Sequence, residues 1–99
     1  MACGAHHVEG TAVSGILAFL LALGCKPVFT IEHAPGLDRP GRQRGALVRV
    51  RTRDDAVLVH ELWHVCQEQR LGLSTTGAES ARREAEARRV ELAWREYNL

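Results

Sequence analysis

The stretch VLVHELWHVCQ, residues 57–67, carries two histidines four positions apart and a glutamate directly after the first. On a helix, residues four apart differ by only about 40° of rotation, so His60 and His64 project from one face. Two neutral imidazoles at that spacing can bind one Zn²⁺ ion. Glu61 lies about 100° further around the helix, where it can take a proton from a water molecule that the metal acidifies. The pattern predicts a zinc site with a general base.

The neighbours of the two histidines favour this interpretation over an ordinary surface helix. They are all uncharged, which is typical of a helix that is buried on almost every side: Val57, Leu58, Val59, Leu62, Trp63, Val65 and Cys66. A buried helix rarely carries His, Glu and His on one side unless something satisfies them. An incidental pair of histidines on an ordinary helix is the alternative.

A catalytic zinc normally has three protein ligands, and the last predicted helix, ESARREAEARRVELAWREY, offers the third. The apolar stripe of this helix consists of Ala87, Val90, Trp94 and Tyr97. Glu84 borders that stripe at helical spacing and is the predicted third ligand, with Glu91 on the same face as the second choice. A surface salt bridge is the alternative role for Glu84. Glu86 is about 200° from Glu84 and is predicted to point to solvent.

The rest of the chain predicts a small α+β domain that spans residues 1–99 and can position these side chains. Its predicted segments are a helix at 11–23, a strand at 28–33, a surface loop at 34–45, a strand at 46–52, a helix from Asp54 or Asp55 to about Arg70, and a helix from a Thr76–Glu79 capping box to about Tyr97. Residues 1–10 are expected to be flexible, with His6 and His7 exposed.

The second strand, ALVRVRT, alternates valines with arginines, as expected of a strand with one face in solvent. Charged outward residues are common on edge strands, so an edge position is predicted. This strand belongs to a basic segment, residues 39–53, whose arginines are Arg39, Arg42, Arg44, Arg49, Arg51 and Arg53. A solvated basic surface is the simplest interpretation, and a contact surface for an acidic partner is the alternative.

The composition is that of one soluble globular domain. Of the 99 residues, 45% are apolar and 25% are charged, which indicates neither disorder nor a membrane protein. A formal net charge of +1 gives no indication of nucleic-acid or membrane binding.

The cysteines and the apolar first helix bear on the compartment. Cys3, Cys25 and Cys66 are odd in number and widely spaced, so no disulfide framework is predicted and a reducing, cytoplasmic compartment is expected. Cys66 is expected to be a small buried hydrophobic residue. Residues 12–25 are shorter than the about 20 residues that cross a bilayer and predict a buried helix. The alternative is an export or lipoprotein signal that ends at Cys25, although no Lys or Arg precedes it.

The motif HELWHVCQ, followed twenty residues after its second histidine by EAEA, resembles the gluzincin-type HExxH zinc metallopeptidases. These have a glutamate ligand on a following helix, often within ExxA or ExxxD. The resemblance covers about residues 46–97, with Ala87 at the small-residue position. The resemblance implies that His60 and His64 are the two histidine ligands. It also implies that Glu61 is the catalytic base and that Glu84 is the glutamate ligand. Where ExxxD members have an aspartate, this chain has Arg88.

The resemblance implies a minimal zincin-like fold, a Zn²⁺ cofactor and the hydrolysis of a peptide or protein substrate. Such families place an edge strand beside the active-site helix, where an extended substrate pairs with its backbone. ALVRVRT is expected to be that strand. Tyr97 and His33 are candidates for stabilising the oxyanion, with structural roles as the alternative. A catalytically inactive, metal-stabilised binding module is the alternative function.

Overall fold

The structure, a computed structural model, describes residues 10–98 of the chain. Its elements in chain order are α1 (Gly10–Ala22), β1 (Thr30–His33), β2 (Gly41–Arg44), β3 (Leu47–Val50), α2 (Asp55–Leu71) and α3 (Gly77–Tyr97). The predicted small α+β domain is confirmed, and in the structure it consists of three helices and a three-stranded sheet. The predicted flexible segment before Gly10, with His6 and His7, lies outside the described residues.

The sheet differs from the prediction in the place of its strands. The strand order is β1-β3-β2, with β1 parallel and β2 antiparallel to β3. The prediction that ALVRVRT forms an edge strand is therefore wrong, because β3 is the central strand. The edge strand β2, GRQR, lies in the segment that was predicted to be a loop. The sequence of β2 does not alternate apolar and polar residues, so its strand conformation depends on backbone pairing with β3. A tight turn joins the two strands, and Gly45 in this turn has a φ of 59°.

The helix α2 is the central element of the fold, since it packs against α1, α3, β2 and β3. Its buried residues are Ala56, Leu58, Val59, Leu62, Trp63, Val65, Cys66 and Gln67. Ile16 and Leu20 of α1 and Val48 of β3 are fully buried in the same core. None of the helices in the described part of the chain is long and apolar enough to span a membrane.

Side-chain caps set the ends of the two helices that carry the motifs. The Asp54 carboxylate accepts a hydrogen bond from the Ala56 N–H at 2.9 Å, and α2 ends at Gly72, which has a φ of 78°. The Thr76 hydroxyl accepts from the Glu79 N–H at 3.0 Å. These caps confirm the predicted helix ends, because each satisfies N–H or C=O groups that the helix itself leaves unpaired.

A disulfide joins Cys25, just after α1, to Cys66 in the middle of α2, with the two Cα atoms 5.7 Å apart. Cys66 is buried as expected, at 7% exposure, but the prediction that it is simply a small hydrophobic residue is wrong. The pairing depends on a tertiary contact across 41 residues of sequence, which cysteine spacing alone does not reveal. With two cysteines paired, the basis for expecting a reducing compartment is lost.

Candidate metal centre

The three predicted ligands come together where α3 packs against the polar face of α2. Nε2 of His64 lies 2.9 Å from Oε1 of Glu84, and Nε2 of His60 lies 3.1 Å from Oε2 of the same carboxylate. The donor atoms of the three side chains all lie within 4.8 Å of one another, so this group can hold a metal ion. The two histidine side chains are 12% and 19% exposed and that of Glu84 is 45% exposed. The group is therefore open to solvent mainly on the side of Glu84.

The second nitrogen of His60 contacts Glu91. Its Nδ1 lies 2.8 Å from Oε1 of Glu91, and Arg95 donates to the other carboxylate oxygen at 3.2 Å. Glu91 thus contacts His60 on the side of the ring away from Nε2 and is not one of the three clustered side chains. Of the two glutamates, Glu84 is therefore the one that could complete a metal site. Arg88, at the position of the expected aspartate, instead donates to Glu84 at 3.4 Å. The contact that orients His60 comes from Glu91, one helical turn further along α3.

The second nitrogen of His64 contacts Gln67, whose side chain is almost fully buried. The Gln67 oxygen lies 2.7 Å from Nδ1 of His64. The Gln67 nitrogen donates to the Arg83 carbonyl at 3.0 Å and to Glu86 at 2.9 Å. Because the nitrogen already has two acceptors, the amide oxygen is the atom that faces His64, so Nδ1 of His64 donates.

Glu86 does not point to solvent, and that prediction is wrong. Its Oε1 accepts hydrogen bonds from Trp63 Nε1 at 2.7 Å and from Gln67 Nε2 at 2.9 Å. These two bonds lower the pKa of Glu86, because both stabilise the carboxylate. Helical rotation placed its Cα correctly, but the long side chain reaches back across the contact between α3 and α2.

The predicted base Glu61 is half-buried beside the ligand group. Burial raises its pKa, and the neighbouring His60 and His64 act in the opposite direction. Gly41 of β2 packs directly against this side chain: a Cβ atom at Gly41 would lie 3.1 Å from Cγ of Glu61 and 2.7 Å from Cγ1 of Val57. A glycine at this position therefore allows the edge strand to approach α2 closely at Val57 and Glu61.

An open cleft of about 580 Å³ connects these parts of the site. It is lined by Arg39, Pro40, Gly41, Arg42, Gln43, Val57, His60, Glu61, His64, Glu84, Arg88 and Glu91. One wall is β2 with the residues before it, and the other comes from α2 and α3. An edge strand does lie beside the motif helix, but it is β2 and not ALVRVRT.

Neither predicted oxyanion donor lines the cleft. The Tyr97 ring packs against Phe19 and Trp94, with centroids 5.5 Å and 6.0 Å away, and is 71% exposed. Nε2 of His33 lies 3.1 Å from the Arg51 carbonyl. Both contacts belong to the scaffold.

Comparison with protein-family models, with curated proteins and with solved structures gives no match. The resemblance to gluzincin-type peptidases therefore depends on the motif residues alone.

Gln67, Gly41 and Glu86 are site residues that reasoning from the sequence missed. The sequence did contain an indication for Gln67. A polar amide three residues after His64 on a largely apolar helix is expected to be buried and therefore to need hydrogen-bond partners. For Gly41 and Glu86 the decisive contacts are with other elements, and no local pattern indicates them.

Proposed function

We propose that this protein is a zinc-dependent peptidase. The observation that carries the proposal is the position of Glu61, a half-buried carboxylate that lines the same open cleft as His60, His64 and Glu84. A site whose only role is structural needs no such base and is usually closed by four protein ligands.

The donor set supports zinc as the metal. Two imidazole nitrogens and one carboxylate oxygen form a common catalytic zinc set, and three protein ligands leave a position for water. Nδ1 of each histidine is engaged by Glu91 or Gln67, which leaves Nε2 of each ring as the metal-binding atom. When bound, zinc supplies Lewis acidity that polarises a substrate carbonyl and acidifies water.

Glu61 supplies the proton transfer. It accepts a proton from the water that attacks the scissile carbonyl and delivers it to the departing amine nitrogen, so the peptide C–N bond is replaced by a carboxylic acid and an amine. Burial raises the pKa of Glu61, which makes it a stronger base than an exposed carboxylate.

The edge strand β2 supplies the surface for an extended substrate. The Arg51 N–H donates to the Pro40 carbonyl at 2.8 Å, and the alternation of an antiparallel ladder then turns the N–H and C=O groups of Gly41 and Gln43 to the outer edge. A peptide that pairs with these groups passes beside Glu61, because Gly41 packs against that side chain.

The test is the Glu61→Gln variant, compared with Glu68→Gln, a change of the same type on α2 outside this cleft. Elemental analysis measures zinc content, and mass spectrometry measures cleavage of an unstructured peptide library. We expect both variants to keep zinc and only Glu61→Gln to lose cleavage. Equal cleavage by the two variants would overturn the mechanism. If the unmodified protein binds zinc and cleaves no peptide, the inactive binding module is supported instead.

A further inference from the structure

In the structure, some arginines of the basic segment, residues 39–53, bind acceptors within the protein, and others have no ion-pair partner among the described residues. Arg49 of β3 donates to Glu32 at 2.8 Å, and Arg51 donates to a backbone oxygen at 3.3 Å. On β2, Arg42 and Arg44 are exposed, and neither has an ion-pair partner among the described residues. Arg53, just before α2, has no ion-pair partner among the described residues either, so two of the three unpaired arginines lie on the strand that borders the cleft.

The spacing of these two arginines is that of a strand. Arg42 and Arg44 are two residues apart, so their side chains lie on the same face of β2. The intervening residue, Gln43, turns its backbone N–H and C=O to the outer edge, as does Gly41. A partner strand at this edge places its own side chains beside the arginines at the same alternation. Carboxylates two residues apart on that partner face both arginines, whereas adjacent carboxylates cannot.

The net charge of the cleft also favours a negatively charged ligand. Its charged lining residues are Arg39, Arg42, Arg88, Glu61, Glu84 and Glu91. Their formal charges cancel, so a bound divalent cation leaves the cleft net positive. The ion pairs Arg39–Asp38 at 3.6 Å and Arg88–Glu84 at 3.4 Å involve largely exposed arginines. Such pairs contribute little and leave the guanidinium groups able to bind another carboxylate.

We infer that the substrate class is an extended acidic peptide segment with carboxylate side chains at alternate positions, bound along the outer edge of β2. This inference rests on the proposed function, because it names the substrate of that same cleft. A peptide fits better than a nucleic acid, because β2 offers free backbone groups and its sequence GRQR has no aromatic side chain for base stacking.

The experiment measures binding separately from cleavage. Zinc-loaded Glu61→Gln protein is titrated by fluorescence anisotropy with three labelled peptides of equal length: alternating glutamates, the same glutamates placed adjacent, and alternating lysines. We expect the alternating-glutamate peptide to bind about 10-fold more tightly than the lysine peptide, since two exposed ion pairs are involved. The adjacent-glutamate peptide should lie between them.

Two charge-reversal variants in the Glu61→Gln background locate the contact. Arg42→Glu with Arg44→Glu should abolish the preference for the acidic peptide. The matched control, Arg82→Glu with Arg89→Glu, makes the same change in net charge at exposed positions of α3 and should preserve it. Circular dichroism and zinc content check that each variant is folded.

Equal affinity for the alternating and adjacent peptides, or loss of the preference in both variants, would overturn the inference. So would stronger competition by a single-stranded oligonucleotide than by the alternating peptide. Cleavage by the unmodified protein is scored separately: selective binding without cleavage counts against the proposed function, and cleavage without charge preference counts against this inference.

Discussion

The side-chain oxygen of Gln67 lies 2.7 Å from Nδ1 of His64, one helical turn along α2 and on the opposite side of the ring from Glu84. The Gln67 nitrogen donates to Glu86 and to the Arg83 carbonyl, so the amide group cannot rotate by 180° without losing both hydrogen bonds. Gln67 therefore holds the proton of His64 on Nδ1 and leaves Nε2 for a metal. Gln67 thus contacts the candidate metal ligand His64 from within the core and is not itself one of the three clustered side chains.

Replacing Gln67 with leucine should weaken metal binding about 10- to 100-fold, because His64 loses the contact that fixes its tautomer and ring orientation. Competition with a chromophoric chelator measures the affinity. The control is Gln69→Leu, which removes an amide of the same helix that contacts only the Val28 backbone. If both variants bind metal as tightly as the unmodified protein, Gln67 has no role in orienting His64.

Glu84 and Glu91 should differ in how strongly they affect the metal. Glu84→Ala removes a donor atom and should cost more affinity than Glu91→Ala, which removes only the partner of His60 and should cost about 10- to 100-fold. The same chelator assay ranks them, with Glu96→Ala as an exposed control on α3. A larger loss for Glu91→Ala would identify Glu91 as the ligand.

Gly41→Ala should impair catalysis while sparing the metal. A Cβ atom at this position would lie 2.7 Å from Val57 Cγ1 and 3.1 Å from Glu61 Cγ, so the strand, Val57 or Glu61 must move. We expect a fall in peptide cleavage with unchanged zinc content. Gly36→Ala is the control, since nothing lies within 4 Å of its Cβ position. Unchanged cleavage in Gly41→Ala would show that the close approach of β2 is unimportant.

The bond between Cys25 and Cys66 should stabilise the fold by limiting the unfolded chain. Closing 41 residues of sequence corresponds to about 4 kcal/mol in the chain-entropy account. Denaturant unfolding with and without a thiol reductant measures the difference in unfolding free energy. The double variant Cys25→Ala with Cys66→Ala should be less stable and insensitive to reductant. The same unfolding midpoint with and without reductant in the unmodified protein would argue against the pairing.

Glu79 should make the start of α3 sensitive to acid. Hydrogen bonds from the Thr75 N–H and from Arg83 lower the pKa of Glu79 in the folded state. This stabilisation is therefore present above the pKa of the unfolded chain and is lost as the pH falls through the lower, folded-state pKa. We expect Glu79→Gln to melt at a lower temperature than the unmodified protein at about pH 7 and the two to converge once the pH falls below the folded-state pKa of Glu79. Glu96→Gln should show no such fall, and a pH-independent difference for Glu79→Gln would contradict the assignment.

Much of the scaffold could be predicted because its signals are local. Asp54, Gly72 and Thr76 indicate helix ends through groups only a few residues away. The rigid geometry of a helix places His60 and His64 on one face wherever that helix packs. Periodicity also placed Glu84 at the inward border of α3, and the structure brings it to the two histidines.

Other features depend on which elements meet, and no short sequence window contains that information. GRQR becomes the edge strand beside Glu61 only because β3 pairs with it, and that pairing places ALVRVRT at the centre of the sheet. Cys25 meets Cys66 only because α1 packs against α2. Glu86 reaches Trp63 and Gln67 only across a helix contact.

The sequence by itself determined the candidate ligands, the candidate base and the helices that carry them, since helix geometry follows from neighbouring residues. Only the tertiary structure decided which carboxylate faces Nε2 of the histidines, which side chains hold Nδ1, and which strand borders the cleft. These are contacts between side chains or strands far apart in sequence, and their formation depends on the packing of the whole core.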